Sequence, residues 1–382
     1  MSEEVRTAVE SEPYFEAQSE EYNNVYRKWR LEEGNRYARR ISPDDGSHSY
    51  VPGQGFVRKT VLGSEENALH NCLFLVGAVL LVMLAFDAAI YFIIQMADPS
   101  AAGNNVYFTQ RTEDAPEVPM WLVLLVVGGN CLKYVTAIGI FKMRTRLPMR
   151  LVMADRGSGA IVSFNATVVM MMVMVSGKLA AMLLSHVLRY VSVDSVYVYM
   201  FRSTETPIVL ISFVYNCIIF PVLFELLFRG FMLQLMRQFG DRFAVTLVAG
   251  LCSLTFYDIP NIFYCCCCSA VLGVYVIRTG STWTAVYMHS ITNALIYILT
   301  GIGLINPDVG RVTEIVVFFL ICLVTLFMYS RLMDINRFTR NSKDAQSTIS
   351  PDKKFITVIS TTTLAVWFVF SMVLLVLETR FI

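Results

Sequence analysis

The sequence predicts an all-α, polytopic membrane protein, a bundle of eight or nine transmembrane helices around a polar intramembrane cavity. Three observations carry this. Of 382 residues, 55% are hydrophobic and only 16% charged, well under the ~25% of a typical soluble domain. The apolar residues come in runs of about 20, the length that crosses a bilayer. A few ionisable residues interrupt those runs, and such residues face the interior of a bundle rather than lipid.

Residues 1–69 are a hydrophilic amino-terminal segment with no apolar run of the signal type. Mixed charges and tyrosines with few aliphatics predict a mobile cytosolic tail carrying one short helix near 18–39. Runs at 72–95, 120–141 and 160–185 predict the membrane helices of a block spanning 70–205. Runs at 207–236, 243–259, 262–277 and 283–305 predict a core over 206–305. Runs at 313–331 and 355–377 complete a carboxyl-terminal block, 306–382. The runs at 243–259 and 262–277 are short, so they read as two spans or as a re-entrant pair.

Basic residues set the orientation. Arg58 and Lys59 precede the first run. Lys142, Arg144, Arg146, Arg150 and Arg156 follow the second, and Arg331, Arg337, Arg340, Lys343, Lys353 and Lys354 precede the last. The 96–119 loop has Arg111 against Asp98, Glu113, Asp114 and Glu117. Basic loops stay cytoplasmic, so nine spans put the amino end inside and the carboxyl end outside. A net charge of +1 suggests no nucleic-acid partner. No internal repeat is visible, which argues against a transporter built from two related halves.

The nine cysteines lie in or beside apolar runs, where a thiol behaves as a small hydrophobe. The run Cys265–Cys268 has no partner at zinc spacing. It reads as small side chains at a helix start, or as a palmitoylation site if it lies at the interface. Neither a metal nor a cofactor is expected.

Two pairs of polar residues stand out. Glu225 and Arg229 are i and i+4 in FELLFRG, so a helix puts them on one face, able to pair. His289 and Asn293 share the same spacing in HSITN and could donate two hydrogen bonds to a developing oxyanion. Either pair alone also fits simple helix packing. Asp87, Lys133 and Lys178 interrupt the first three runs. The expected role is structural, Asp87 pairing with either lysine.

The order of these motifs across 224–298, with RTGSTW between them, resembles the CPBP family of intramembrane proteins, which includes the CAAX prenyl proteases and bacteriocin-processing relatives. The likeness covers about a fifth of the chain. The family pattern is EExxxRG, then FxxxH, then HxxxN or HxxxD. The resemblance implies that Glu225 and Arg229 form a supporting ion pair and that His289 and Asn293 stabilise an oxyanion. It also implies a multipass protein, by analogy with the many bacterial members in a bacterial cell membrane. Its partner would be a membrane-associated or prenylated peptide, or another membrane protein.

The sequence departs from the pattern at two positions. Phe224 stands where the family has its first glutamate, and Pro260 where it has the histidine of FxxxH. In the family these two groups activate water. Their loss would cost about 10²–10⁴-fold if nothing replaced them. Asp258, beside Tyr257, and Glu225 itself are the candidate replacements, and His186 a more distant one. Catalysis therefore stays open. An intramembrane endopeptidase with a rearranged base competes with a catalytically inactive member that binds a peptide or partner protein, in an immunity or scaffold role. A channel or carrier using Asp87, Lys133, Lys178 and Glu225 is a third reading.

Overall fold

A computed structural model describes residues 14–15, 18–38, 48–51, 55–97, 118–155, 160–190, 193–194, 205–328, 347, 349–378 and 380–381. Its helices are α1 (Glu20–Leu31), α2 (Lys59–Ala97), α3 (Met120–Thr145), α4 (Ala160–Tyr190), α5 (Thr206–Phe239), α6 (Asp241–Ser253), α7 (Ile259–Thr279), α8 (Thr282–Ile305), α9 (Pro307–Phe327), α10 (Pro351–Ser360) and α11 (Thr362–Glu378). Four short strands form two antiparallel pairs, β1 (His48–Val51) with β2 (Gly55–Arg58) and β3 (Val193–Asp194) with β4 (Arg380–Phe381).

Among the described residues seven helices are long and apolar enough to cross a membrane, and α10 with α11, bent by 68°, makes an eighth if the two count as one span. The chain is thus an all-α multipass bundle. The acidic loop over 98–117, together with Arg156, Arg331, Arg337, Arg340 and Lys343, lies outside the described residues.

The segment expected at 243–259 is not a full span. Its helix, α6, has 13 residues, ~20 Å against a hydrocarbon core of ~30 Å. A 3₁₀ turn at Leu254–Phe256 ends it, and Tyr257 follows in the left-handed region at φ 49°. Asp258 then caps α7, its side chain accepting from the Asn261 N–H, with Pro260 in the first turn. Proline suits that position because its missing N–H would be unpaired there anyway. Helices α6 and α7 run antiparallel: Cys252 meets Ser269, and a Cβ on Gly273 would lie 3.3 Å from the Val245 methyls.

Side-chain bonds gather one end of the bundle. Thr282 Oγ1 donates to Val152 O, Lys354 Nζ to Phe239 O, Ser347 Oγ to Glu65, and Lys353 pairs with Glu66. The β3–β4 pair lies at the other end, beyond α4 and α11.

The amino-terminal region departs from expectation. Its helix forms, but its described residues are docked rather than free. Tyr22, Tyr26 and Trp29 follow an i, i+4, i+7 spacing and are buried with Phe15. Trp29 Nε1 donates to Thr145 O at 2.8 Å and Tyr22 OH to Gln234 Oε1 at 2.6 Å. Aromatic residues on one helical face thus cover the end of α5, which a composition-based reading cannot see.

Two further ion pairs bridge helices within the membrane. Lys133 binds Asp87 at 2.6 Å, whereas Lys178 binds Glu314 at 2.5 Å rather than Asp87. The turn between α8 and α9 is tight: a Cβ on Gly310 would fall 2.3 Å from Gly303 Cα. Asn306 caps α9, accepting from the N–H groups of Asp308 and Val309.

Candidate active site

The site is built on α5, a helix made irregular by its own sequence. Pro221 sits in its interior, where a proline removes one N–H and clashes with the preceding turn. The chain answers with a π turn at Tyr215–Ile219. In that i→i+5 pattern the Asn216 carbonyl would accept from residue 221, which has no N–H. Asn293 Nδ2 supplies the missing donor at 2.9 Å. Asn293 thus serves as a helix-repair contact, and one of its two amide hydrogens is already engaged.

A second π segment, Leu226–Leu233, begins directly after Glu225. Wider turns advance less per residue along the axis, so α5 is shorter than an ideal helix. By sequence spacing Glu225 would lie deeper than His289. In the fold they meet, His289 Nδ1 lying 2.7 Å from Glu225 Oε1.

Glu225 is 0% exposed and Arg229 1%. Arg229 Nε approaches Glu225 Oε2 to 3.1 Å as an ion pair, without the alignment of a hydrogen bond. Arg229 Nη2 donates to Ser269 O at 3.1 Å and to Ser269 Oγ at 2.6 Å, and Ser269 Oγ in turn meets Cys252 Sγ at 2.8 Å. These contacts tie α5 to α6 and α7. Arg229 Nη1 is buried with no protein partner among the described residues. Native proteins satisfy such a donor with ordered water or a ligand group.

Four of the five residues expected at the site lie together, three in one cluster and Asn293 beside it. Glu225, Arg229 and His289 form one contiguous cluster, and Asn293 lies one turn along α8 from His289 on the π-turn carbonyl. Asp258 serves as the cap of α7. His186 meets Tyr190 edge-on within α4. Phe224 is buried at the centre of an aromatic group, with ring centroids 4.6 Å from Phe228, 5.1 Å from Phe220, 6.1 Å from Tyr134 and 6.2 Å from Phe256. Its ring meets His289 edge-on at 5.5 Å, and the Arg229 guanidinium lies 5.7 Å from its centre. An aromatic ring thus occupies the place where the resemblance would put a carboxylate.

Sequence reasoning missed Ser269, Gln234 and Glu314. Gln234 donates to Arg229 O while accepting from Tyr22 and Arg237. A glutamine near the end of a membrane helix gives no sign of a long-range partner. Pro221 was a readable signal for the broken helix. Cys265–Cys268 sits inside α7 rather than at its start: Cys268 is ~17 Å from Thr279 along the axis. Among the described residues no three His, Cys, Asp or Glu side chains group as metal ligands.

No curated protein and no solved structure matches the chain. Residues 206–295 match the family model described as type II CAAX prenyl endopeptidase Rce1-like, which agrees with the motif resemblance and covers about a quarter of the sequence. The stretch that holds Glu225, Arg229, Asp258, His289 and Asn293 is therefore similar to an Rce1-like, CPBP-type core, set within an integral multipass membrane protein.

Proposed function

We propose that this core acts on a membrane-associated peptide as an intramembrane endopeptidase, with a prenylated carboxyl-terminal tail as the substrate class that the family description suggests. One observation carries the reading: a fully buried carboxylate, Glu225, is shared between a guanidinium and an imidazole. Burying such a cluster costs several kcal/mol per ion before the ions' mutual attraction offsets it, and simple helix packing does not need it. The gathered end, with Lys142, Arg144, Arg146 and Arg150 near it, is taken as cytoplasmic on the positive-inside rule. The test is purified protein in detergent against a fluorogenic prenylated peptide, wild type beside Glu225→Gln and His289→Ala. Cleavage by the wild type alone supports the reading.

The aromatic packing around Phe224 favours a second reading, in which the same core binds a peptide or membrane partner without hydrolysing it. Equal background signals from all three proteins, with the peptide still bound, would establish it. A transport role has less support, since Asp87, Lys133, Lys178 and Glu314 are consumed in two closed pairs.

A further inference from the structure

The contact between Glu225 and His289 reassigns the histidine. The motif resemblance groups His289 with Asn293 as donors to an oxyanion. In the fold one Asn293 amide hydrogen is held by Asn216 O, and His289 turns its Nδ1 to Glu225. We propose that His289 is the general base of this core, oriented by Glu225, in place of the groups lost at 224 and 260. The inference rests on the endopeptidase reading.

The chemistry follows from the tautomer. Glu225 is ion-paired with Arg229, so its Oε1 accepts a hydrogen bond from the neutral ring's Nδ1–H. That leaves the lone pair on Nε2. Nε2 has no protein hydrogen bond among the described residues, and the side chain is 14% exposed, whereas Glu225 is sealed. A carboxylate that holds one nitrogen of an imidazole while the other faces the reactant is the base-and-orienter arrangement of hydrolytic triads. Here water is the nucleophile. Nε2 takes a proton from water as its oxygen bonds to the scissile carbonyl carbon. The imidazolium then returns that proton to the leaving nitrogen as the C–N bond breaks. A carboxylic acid and an amine result, and the ring is again neutral. No oxidant, metal or further reactant is required.

The charged and titratable groups around His289 are few. From α5 come Glu225, with Arg229 behind it, and the rings of Phe220 and Phe224, both edge-on to the imidazole. The packed helices also carry Tyr215 and Cys217 on the π turn of α5, the Lys178–Glu314 pair of α4 and α9, and the cysteine run of α7. Among the described residues, Glu225 is the charged group bonded to the ring.

The experiment uses the full chain in detergent with the fluorogenic prenylated peptide. It compares wild type, His289→Ala and His289→Asn, the last keeping a side-chain amide able to donate to Glu225. The expected result is a fall in kcat of about 10²–10⁴-fold in both variants, with KM little changed. Added imidazole should restore turnover in His289→Ala. If both variants retain kcat, or lose activity without imidazole rescue, the assignment of the base is overturned while the endopeptidase reading stands. If the wild type itself does not cleave, that reading fails first.

Discussion

Asn293 Nδ2 donates to the main-chain oxygen of Asn216, 2.9 Å away on another helix, because Pro221 cannot. The pair shows how one residue in a helix interior dictates the chemistry available one turn from His289. Without the proline, the carbonyl would be paired within its own helix and the amide would be free for substrate.

The first prediction follows directly. Asn293→Ala leaves a carbonyl orphaned in a membrane helix and should cost about 1–3 kcal/mol. In a Pro221→Ala background, where the backbone can supply its own donor, the same change should cost much less. A double-mutant cycle of unfolding in mixed micelles measures the coupling. Additive effects would contradict the repair role.

Removing the cation from the buried pair should be severe. Arg229→Met strands the Glu225 carboxylate and should destabilise the fold by about 3–5 kcal/mol. Adding Glu225→Gln should recover part of the loss, since no unpaired charge then stays buried. Midpoints of thermal unfolding for the two variants give the comparison.

The docked amino-terminal helix should respond to alkaline pH. Burial pushes the Tyr22 phenol up to about 12 from its ordinary 10, against the opposing charge of Arg237. The neutral phenol is therefore the docked form. Its contribution is complete below pH 10 and is lost as pH rises through about 12. Trp29, buried against Thr145 O, reports this: its emission should shift to the red across that window. Tyr22→Phe should weaken docking at neutral pH by about 0.5–1.5 kcal/mol and reduce the pH response.

Restoring the missing motif groups is a separate test of what limits the chemistry. Phe224→Glu with Pro260→His returns a carboxylate and an imidazole to the two altered positions. If a base is limiting, peptide turnover should rise, by up to about 10²–10⁴-fold. An unchanged rate in a folded double variant would place the limit elsewhere. Phe224→Glu alone should be the less stable protein, because it sets a charge among Phe220, Phe228 and Tyr134.

The sequence carried the bundle and the ion pair well, for a physical reason. Membrane helices must be long and apolar, and Glu225 with Arg229 is a local i, i+4 relation that survives any tertiary arrangement. What it concealed was non-local. The meeting of Glu225 with His289 depends on how α5 and α8 pack against each other, which no local residue pattern marks. The docking of Tyr22, Tyr26 and Trp29 was obscured because the segment's overall polarity outweighed one aromatic face. Lys178 found Glu314 rather than Asp87 because helix neighbours are not written in the order of the runs. Asp258, read as a reserve base, caps α7 in the fold, as aspartate commonly does before a helix.

At the turn joining α8 to α9, backbone meets backbone at Gly303 and Gly310, and Asn306 clamps the junction. The turn therefore holds α8 and α9 close together at this end. On the endopeptidase reading, a peptide that reaches the imidazole between α8 and α5 parts contacts that include Asn293 to Asn216 and Tyr297 to the Val209 carbonyl. Entry and the integrity of the interrupted helix would then draw on the same hydrogen bonds, so a variant that loosens them should admit its peptide faster as its fold weakens.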